Sequence, residues 1–69
     1  MNDRIYQKIE LTGTSTTSIE AAIQNAVTRA VSDKYQPRWF ELVEVRGAID
    51  QDEVTQWQVT VKIGHALED

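Results

Sequence analysis

The sequence contains no cysteine and one histidine, His65. Those two scarcities exclude a disulfide framework, thiolate zinc sites and an imidazole-rich metal cage. No apolar run approaches the ~20 residues of a membrane span, and Met1-Asn2-Asp3-Arg4 lacks the basic segment and apolar stretch of a secretory signal. Basic side chains are the minority, seven against eleven acidic, for a net charge of −4. The concentrated basic face of a nucleic-acid binder is therefore not expected. The expectation is a soluble, cytoplasmic protein with neither nucleic acid nor membrane as a partner.

What is present is short and strongly patterned. Sixty-nine residues make one domain over 1–69, without internal repeats or low-complexity segments. A chain of this size buries only about 60% of the surface its unfolded form exposes. With disulfides and metals excluded, self-association is the remaining source of stability.

Residues 4–12 alternate, with Ile5, Ile9 and Leu11 on one side and Arg4, Tyr6, Lys8 and Glu10 on the other. This is the period of a half-buried strand. Gly13 and the run Thr14-Ser15-Thr16-Thr17 break it and open a helix; Thr17 has capping-box spacing to Glu20, and Ser15 or Thr16 serves equally as the N-cap. Ile19, Ala22, Ile23, Ala26, Val27, Ala30 and Val31 then form one apolar stripe. Pro37 sets the latest possible end of that helix. Residues 38–49 and 54–64 read as a second and third strand around the polar turn Asp50-Gln51-Asp52-Glu53.

The expected architecture is α+β, a β-α-β-β unit whose three-stranded antiparallel sheet has spatial order 1-3-2 with the helix on one face. Trp57, Val59, Val61 and Ile63 share the core side of strand three. Strand two conflicts with a single covered face: Phe40 and Leu42 are apolar on one side, Trp39, Val43 and Val45 on the other. Either a β-bulge near Val43–Glu44 re-aims these side chains, or other subunits bury the second face, or both.

Three residues stand out against that pattern. Trp39, beside Arg38, is either an ordinary interface aromatic or a stacking platform for a flat ligand, closed from two sides in a two-fold oligomer. Gln58, on the non-core face of the central strand, is either a solvated glutamine or a donor–acceptor partner for a ring edge showing a carbonyl and an N–H. Arg46 suits phosphate or a neighbouring carboxylate. His65, placed beyond the last strand with no nucleophile motif nearby, suggests neither catalysis nor metal binding. Glu41 and Glu44, three apart and expected on opposite faces, make a poor acid/base pair. Gly13, Gly47 and Gly64 are isolated turn or strand-end residues, not a phosphate loop.

Taken together, Tyr6-Gln7-Lys8-Ile9-Glu10-Leu11, Gly13-Thr14-Ser15, Ser18-Ile19-Glu20, Ala22-Ile23, Arg29-Ala30, Trp39-Phe40-Glu41, Val45-Arg46-Gly47 and Gln58-Val59-Thr60-Val61 up to Gly64 resemble the dodecin family in order and spacing. The resemblance implies a sheet wrapped on its helix and twelve subunits forming a hollow homo-dodecamer. It implies a non-catalytic role in flavin storage, buffering and photoprotection, with riboflavin or FMN as the ligand. Flavin pairs would stack between two copies of Trp39, with Gln58 on the pyrimidine edge and Arg46 toward the flavin side chain and subunit contacts; Arg38 and Glu44 complete the expected binding set. Many bacterial relatives continue with Phe-Arg where this chain has His65-Ala66, which puts the preference for FMN over riboflavin in question. The competing expectations are a flavin-free oligomeric scaffold of the same fold and, ranked last, a small flavin-dependent enzyme.

Overall fold

The computed structural model describes residues 3–67. Its elements run β1 (Tyr6–Ser15), α1 (Ile19–Ser32), β2 (Pro37–Asp50) and β3 (Glu53–Ala66), in one antiparallel sheet of order β1-β3-β2. The expected topology and strand order are therefore found. Among the described residues, no helix is long and apolar enough to cross a membrane.

Strand β1 continues three residues past the expected break. Gly13 lies inside it, opposite Val59, at the point where the strand passes over the helix. A Cβ at Gly13 would strike the Ala22 carbonyl oxygen and crowd the Ala26 nitrogen. The glycine allows a close strand–helix crossing and does not end the strand. Gly47 and Gly64 also lie within strands, opposite Trp57 and Trp39, and none of the three has a positive φ.

The helix is capped by Ser18, one residue after the hydroxyls favoured by spacing. Ser18 Oγ accepts from the Ala21 N–H at 3.0 Å, while Ser15 Oγ accepts from the Thr17 N–H at 2.9 Å and shapes the approach. Ser18→Ala is expected to lower unfolding stability by about 1 kcal/mol, read as a shift of the denaturant midpoint with an unchanged slope. At the other end Lys34 takes a positive φ of 75°. Its N–H bonds the Val31 carbonyl while the Tyr35 N–H bonds Ala30, the Schellman pattern that satisfies terminal carbonyls.

Ala22, Ala26 and Ala30 are buried against Val59, Val61 and Ile63, and Ile9, Leu11, Ile19, Ile23, Val27 and Trp57 pack around them. Small residues on the helix let it sit close to the sheet. Val31, expected on the stripe, is instead 55% exposed, because the helix lies mainly on β1 and β3 and scarcely reaches β2. A 14-residue helix is about 21 Å long, whereas the 14-residue strands β2 and β3 extend about 46 Å each. The hairpin therefore overhangs the helix, giving a subunit of 57 × 20 × 13 Å. It closes through Gln51 and Asp52, both with positive φ, as the twist of a two-residue hairpin requires. Phe40, Leu42, Val43, Val45, Ile49 and Val54 are left exposed on this arm.

Candidate functional site

Residues directly opposite one another in an antiparallel sheet point to the same face, so the register assigns each candidate to a side. Val59, Val61 and Ile63 face the helix; the even-numbered positions of β3 face away. Trp39 pairs with Gly64 and Glu41 with Lys62, both on the outer face. The register then slips between Leu42 and Glu44, at the bulge expected near Val43–Glu44. After the slip Glu44 pairs with Thr60 and Arg46 with Gln58. One extra residue thus gathers Trp39, Glu41, Glu44, Arg46 and Gln58 on a single face. It also moves Val45 to the core side, opposite Val59. The expectation that Glu41 and Glu44 diverge fails for this reason.

Gln58 and Arg46 are neighbours, about 5 Å apart between backbones, with Thr14 flanking Gln58 from β1. Gln58 is half-buried and its Nε2 donates to Gln56 Oε1 at 2.9 Å, leaving its carbonyl oxygen and one N–H for a ligand. Trp39 does not join this cluster. Its partner Gly64 is six residues from Gln58 along β3, which is about 20 Å at strand rise and longer than a tricyclic ring. Arg38 sits in a second register slip, between Pro37 and Trp39, beside a small apolar pocket bounded by Val27, Phe40 and Ile63. The structure therefore unites Gln58, Arg46 and Glu44, and keeps Trp39 with Arg38 at the far end of the same sheet.

The setting of Trp39 contains residues that sequence spacing did not single out. A Cβ at Gly64 would run into Cε2, Cζ2 and Cη2 of the indole at similar separations, so the six-membered ring lies with one face across the glycine. Tyr6 meets it edge-on at 5.2 Å between centroids and 68° between planes. The indole Nε1–H donates to Glu41 Oε2 at 3.1 Å, and the same oxygen receives Lys8 Nζ at 2.7 Å. Both bonds, Lys8 first, hold the Glu41 carboxyl below the usual glutamate range. This interaction is complete at neutral pH and is lost as pH falls through the lowered value. Trp39 remains 38% exposed. Alternation puts Lys8 on the polar side of the first strand, but only the register shows that it meets Glu41.

His65 lies within β3 rather than beyond it. It is 6% exposed, pairs in register with Gln7 and Pro37, and packs its ring on Tyr35 at 4.7 Å. Its Nε2 is buried without a protein partner. Among the described residues no group of three or more His, Asp or Glu is arranged to hold a metal.

A helix laid on one face of a 1-3-2 sheet, with an indole laid flat on the other, defines the class: a small α+β subunit that presents an aromatic platform. The family model described as Dodecin matches residues 5–68. A dodecin from Thermus thermophilus is 42% identical over 66 residues, 96% of either chain. The structure of dodecin from Streptomyces coelicolor superimposes with a TM-score of 0.92 at 40% identity, covering 100% of this chain and 99% of the other. A crystal structure from Thermus thermophilus gives 0.91 at 42% identity, covering 97% and 98%. This chain belongs to the dodecin family, small flavin-binding proteins that form multimers and are not known as enzymes.

Proposed function

We propose that this protein stores and buffers riboflavin or FMN in the cytoplasm without catalysis, as a homo-dodecamer that stacks flavins between symmetry-related copies of Trp39. The observation that carries this reading is the indole seated with one face on Gly64 while the residue stays 38% exposed. Such a wall accepts a flat ring from one side only, so a second copy must supply the opposing wall. The separation of about 20 Å between Trp39 and Gln58 at strand rise supports the same conclusion. On this reading the carboxamide edge contact comes from another subunit than the stacking contact.

The residues fit the ligand. Gln58 has a free donor and a free acceptor for the pyrimidine edge, and Arg46 beside it, with Glu44 one register step away, suits the polar side chain of a flavin. Arg38 lies next to the stacking platform. The overhanging β2–β3 arm, with Leu42, Val43 and Val45 exposed, supplies the apolar surface that subunit contacts require. An electron-rich indole against a photoexcited isoalloxazine quenches its fluorescence, which is the basis of the photoprotective role.

The test is titration of purified protein with riboflavin and with FMN, following flavin fluorescence, together with sizing of the particle. The parent is expected to form a large particle and to quench both ligands. Trp39→Ala is expected to weaken binding about a hundredfold or more, since ring–aromatic stacking contributes roughly 1–3 kcal/mol per contact and each ligand pair loses two walls. Undiminished affinity in that variant would refute the stacking account. A large particle that never quenches either flavin would instead indicate a flavin-free scaffold.

A further inference from the structure

The geometry points to Glu41 as the positioning residue of the flavin platform: with Lys8 it fixes the plane of the Trp39 indole before any ligand arrives. The inference rests on the stacking role of Trp39 proposed above. An exposed lysine–glutamate pair is by itself a minor contributor, and Lys8 and Glu41 are each near half exposed. What separates this pair from an ordinary ion pair is that a single oxygen, Glu41 Oε2, takes both the Lys8 ammonium and the indole N–H.

The arrangement spans the whole sheet. Lys8 on β1, Gly64 on β3 and Trp39 on β2 occupy one cross-strand row. The glycine leaves an empty lane, and the indole lies across it toward β1. Glu41, two residues beyond Trp39 on the same face, closes the polar edge of the ring, while Tyr6 closes another edge. Lys62, opposite Glu41, adds a second positive charge that favours the ionised carboxylate. Two freely rotating bonds of a half-exposed tryptophan are thereby restrained in the unliganded subunit. Restraint before binding raises affinity, because the ordering cost is already met.

The experiment uses the full-length assembly, with Glu41→Ala, Glu41→Gln and Lys8→Met. Indole N–H resonances of ligand-free protein are recorded, Trp39 and Trp57 being told apart with Trp39→Phe. Glu41→Ala is expected to move and broaden the Trp39 resonance while that of Trp57, packed beside the core, stays in place. Flavin affinity should fall about tenfold, as for loss of a charge-assisted hydrogen bond. Glu41→Gln retains an acceptor and should recover most of the resonance position and affinity; Lys8→Met should lie between. An unmoved Trp39 resonance in Glu41→Ala overturns the inference, as does a moved resonance with flavin affinity within twofold of a parent that binds. If the parent binds no flavin, the storage role fails, and the resonance alone decides whether Glu41 sets the indole.

Discussion

Gly64→Ala is expected to cost flavin binding nearly as much as removal of Trp39, about a hundredfold, although it adds only a methyl group at a position outside the proposed ligand contacts. The added Cβ would occupy the space of three atoms of the indole ring. The backbone of β3 cannot retreat, because Gly64 is hydrogen-bonded into the centre of the sheet between β1 and β2. The indole is the movable partner and must stand off the sheet, breaking its bond to Glu41 and its edge contact with Tyr6. The subunit keeps its fold, since the displaced ring is surface-bound rather than part of the helix-facing core. Two readouts follow. Flavin quenching should be lost at concentrations that saturate the parent, and emission from Trp39 should shift to the red. In a Trp39→Ala background the glycine substitution should have almost no further effect on binding, because the clash no longer exists; a double-mutant cycle measures that coupling. Independent losses in the cycle, or parental affinity in Gly64→Ala, would show that the indole does not lie across the glycine.

The contrast between Gly64 and Gln58 shows which parts of the site are legible in a sequence. Gln58 is identifiable because period-two alternation from Trp57 to Ile63 puts it on the non-core face without knowledge of any other strand. The bulge near Val43–Glu44 is identifiable for a similar reason: the apolar phase of β2 reverses there, and a strand cannot bury both faces under one helix. Gly64, Glu41, Lys8 and Tyr6 are not identifiable in this way. Their importance comes from cross-strand register, which is set by the length of the hairpin, its turn and three irregularities in the β2–β3 ladder, two on β2 and one on β3. The same limit applies to Trp39 and Gln58. Their spacing in the family pattern suggests one site, whereas the register sets them about six residues apart along β3, so the proposed site draws them from different chains. The N-cap is a smaller example. Four consecutive hydroxyl residues, Ser15 to Ser18, all satisfy the local rule, and the choice of Ser18 depends on where β1 releases the chain. His65 was misplaced because His65-Ala66 ends the alternation in a buried polar side chain, which hydropathy reads as the end of a strand.

Gly13→Ala is expected to be the most destabilising single-methyl change in this chain, lowering subunit stability by about 3 kcal/mol or more. Small-to-large changes in packed interiors cost roughly 1–3 kcal/mol when side chains can rearrange. Here the obstacle is backbone: the new Cβ would overlap the Ala22 carbonyl oxygen and press on the Ala26 nitrogen. Neither can swing aside without breaking the first turns of α1 or separating the helix from β1. Separation is costly because the core is thin. It consists of three alanines on the helix against Val59, Val61 and Ile63, so a small outward movement loosens every contact at once. A substitution at Gly47, whose nearest contacts are the Gln56 carbonyl at 3.0 Å and the Val54 side chain at 3.5 Å, serves as the comparison: Gly47→Ala adds the same methyl away from the helix and should cost much less. Chemical denaturation of both variants, with particle size measured in parallel, distinguishes the two. Gly13→Ala should unfold at markedly lower denaturant and dissociate on dilution, because a subunit that cannot seat its helix cannot hold the sheet face that the proposed assembly uses. Equal midpoints for the two variants would mean that the helix does not cross β1 as closely as the structure places it.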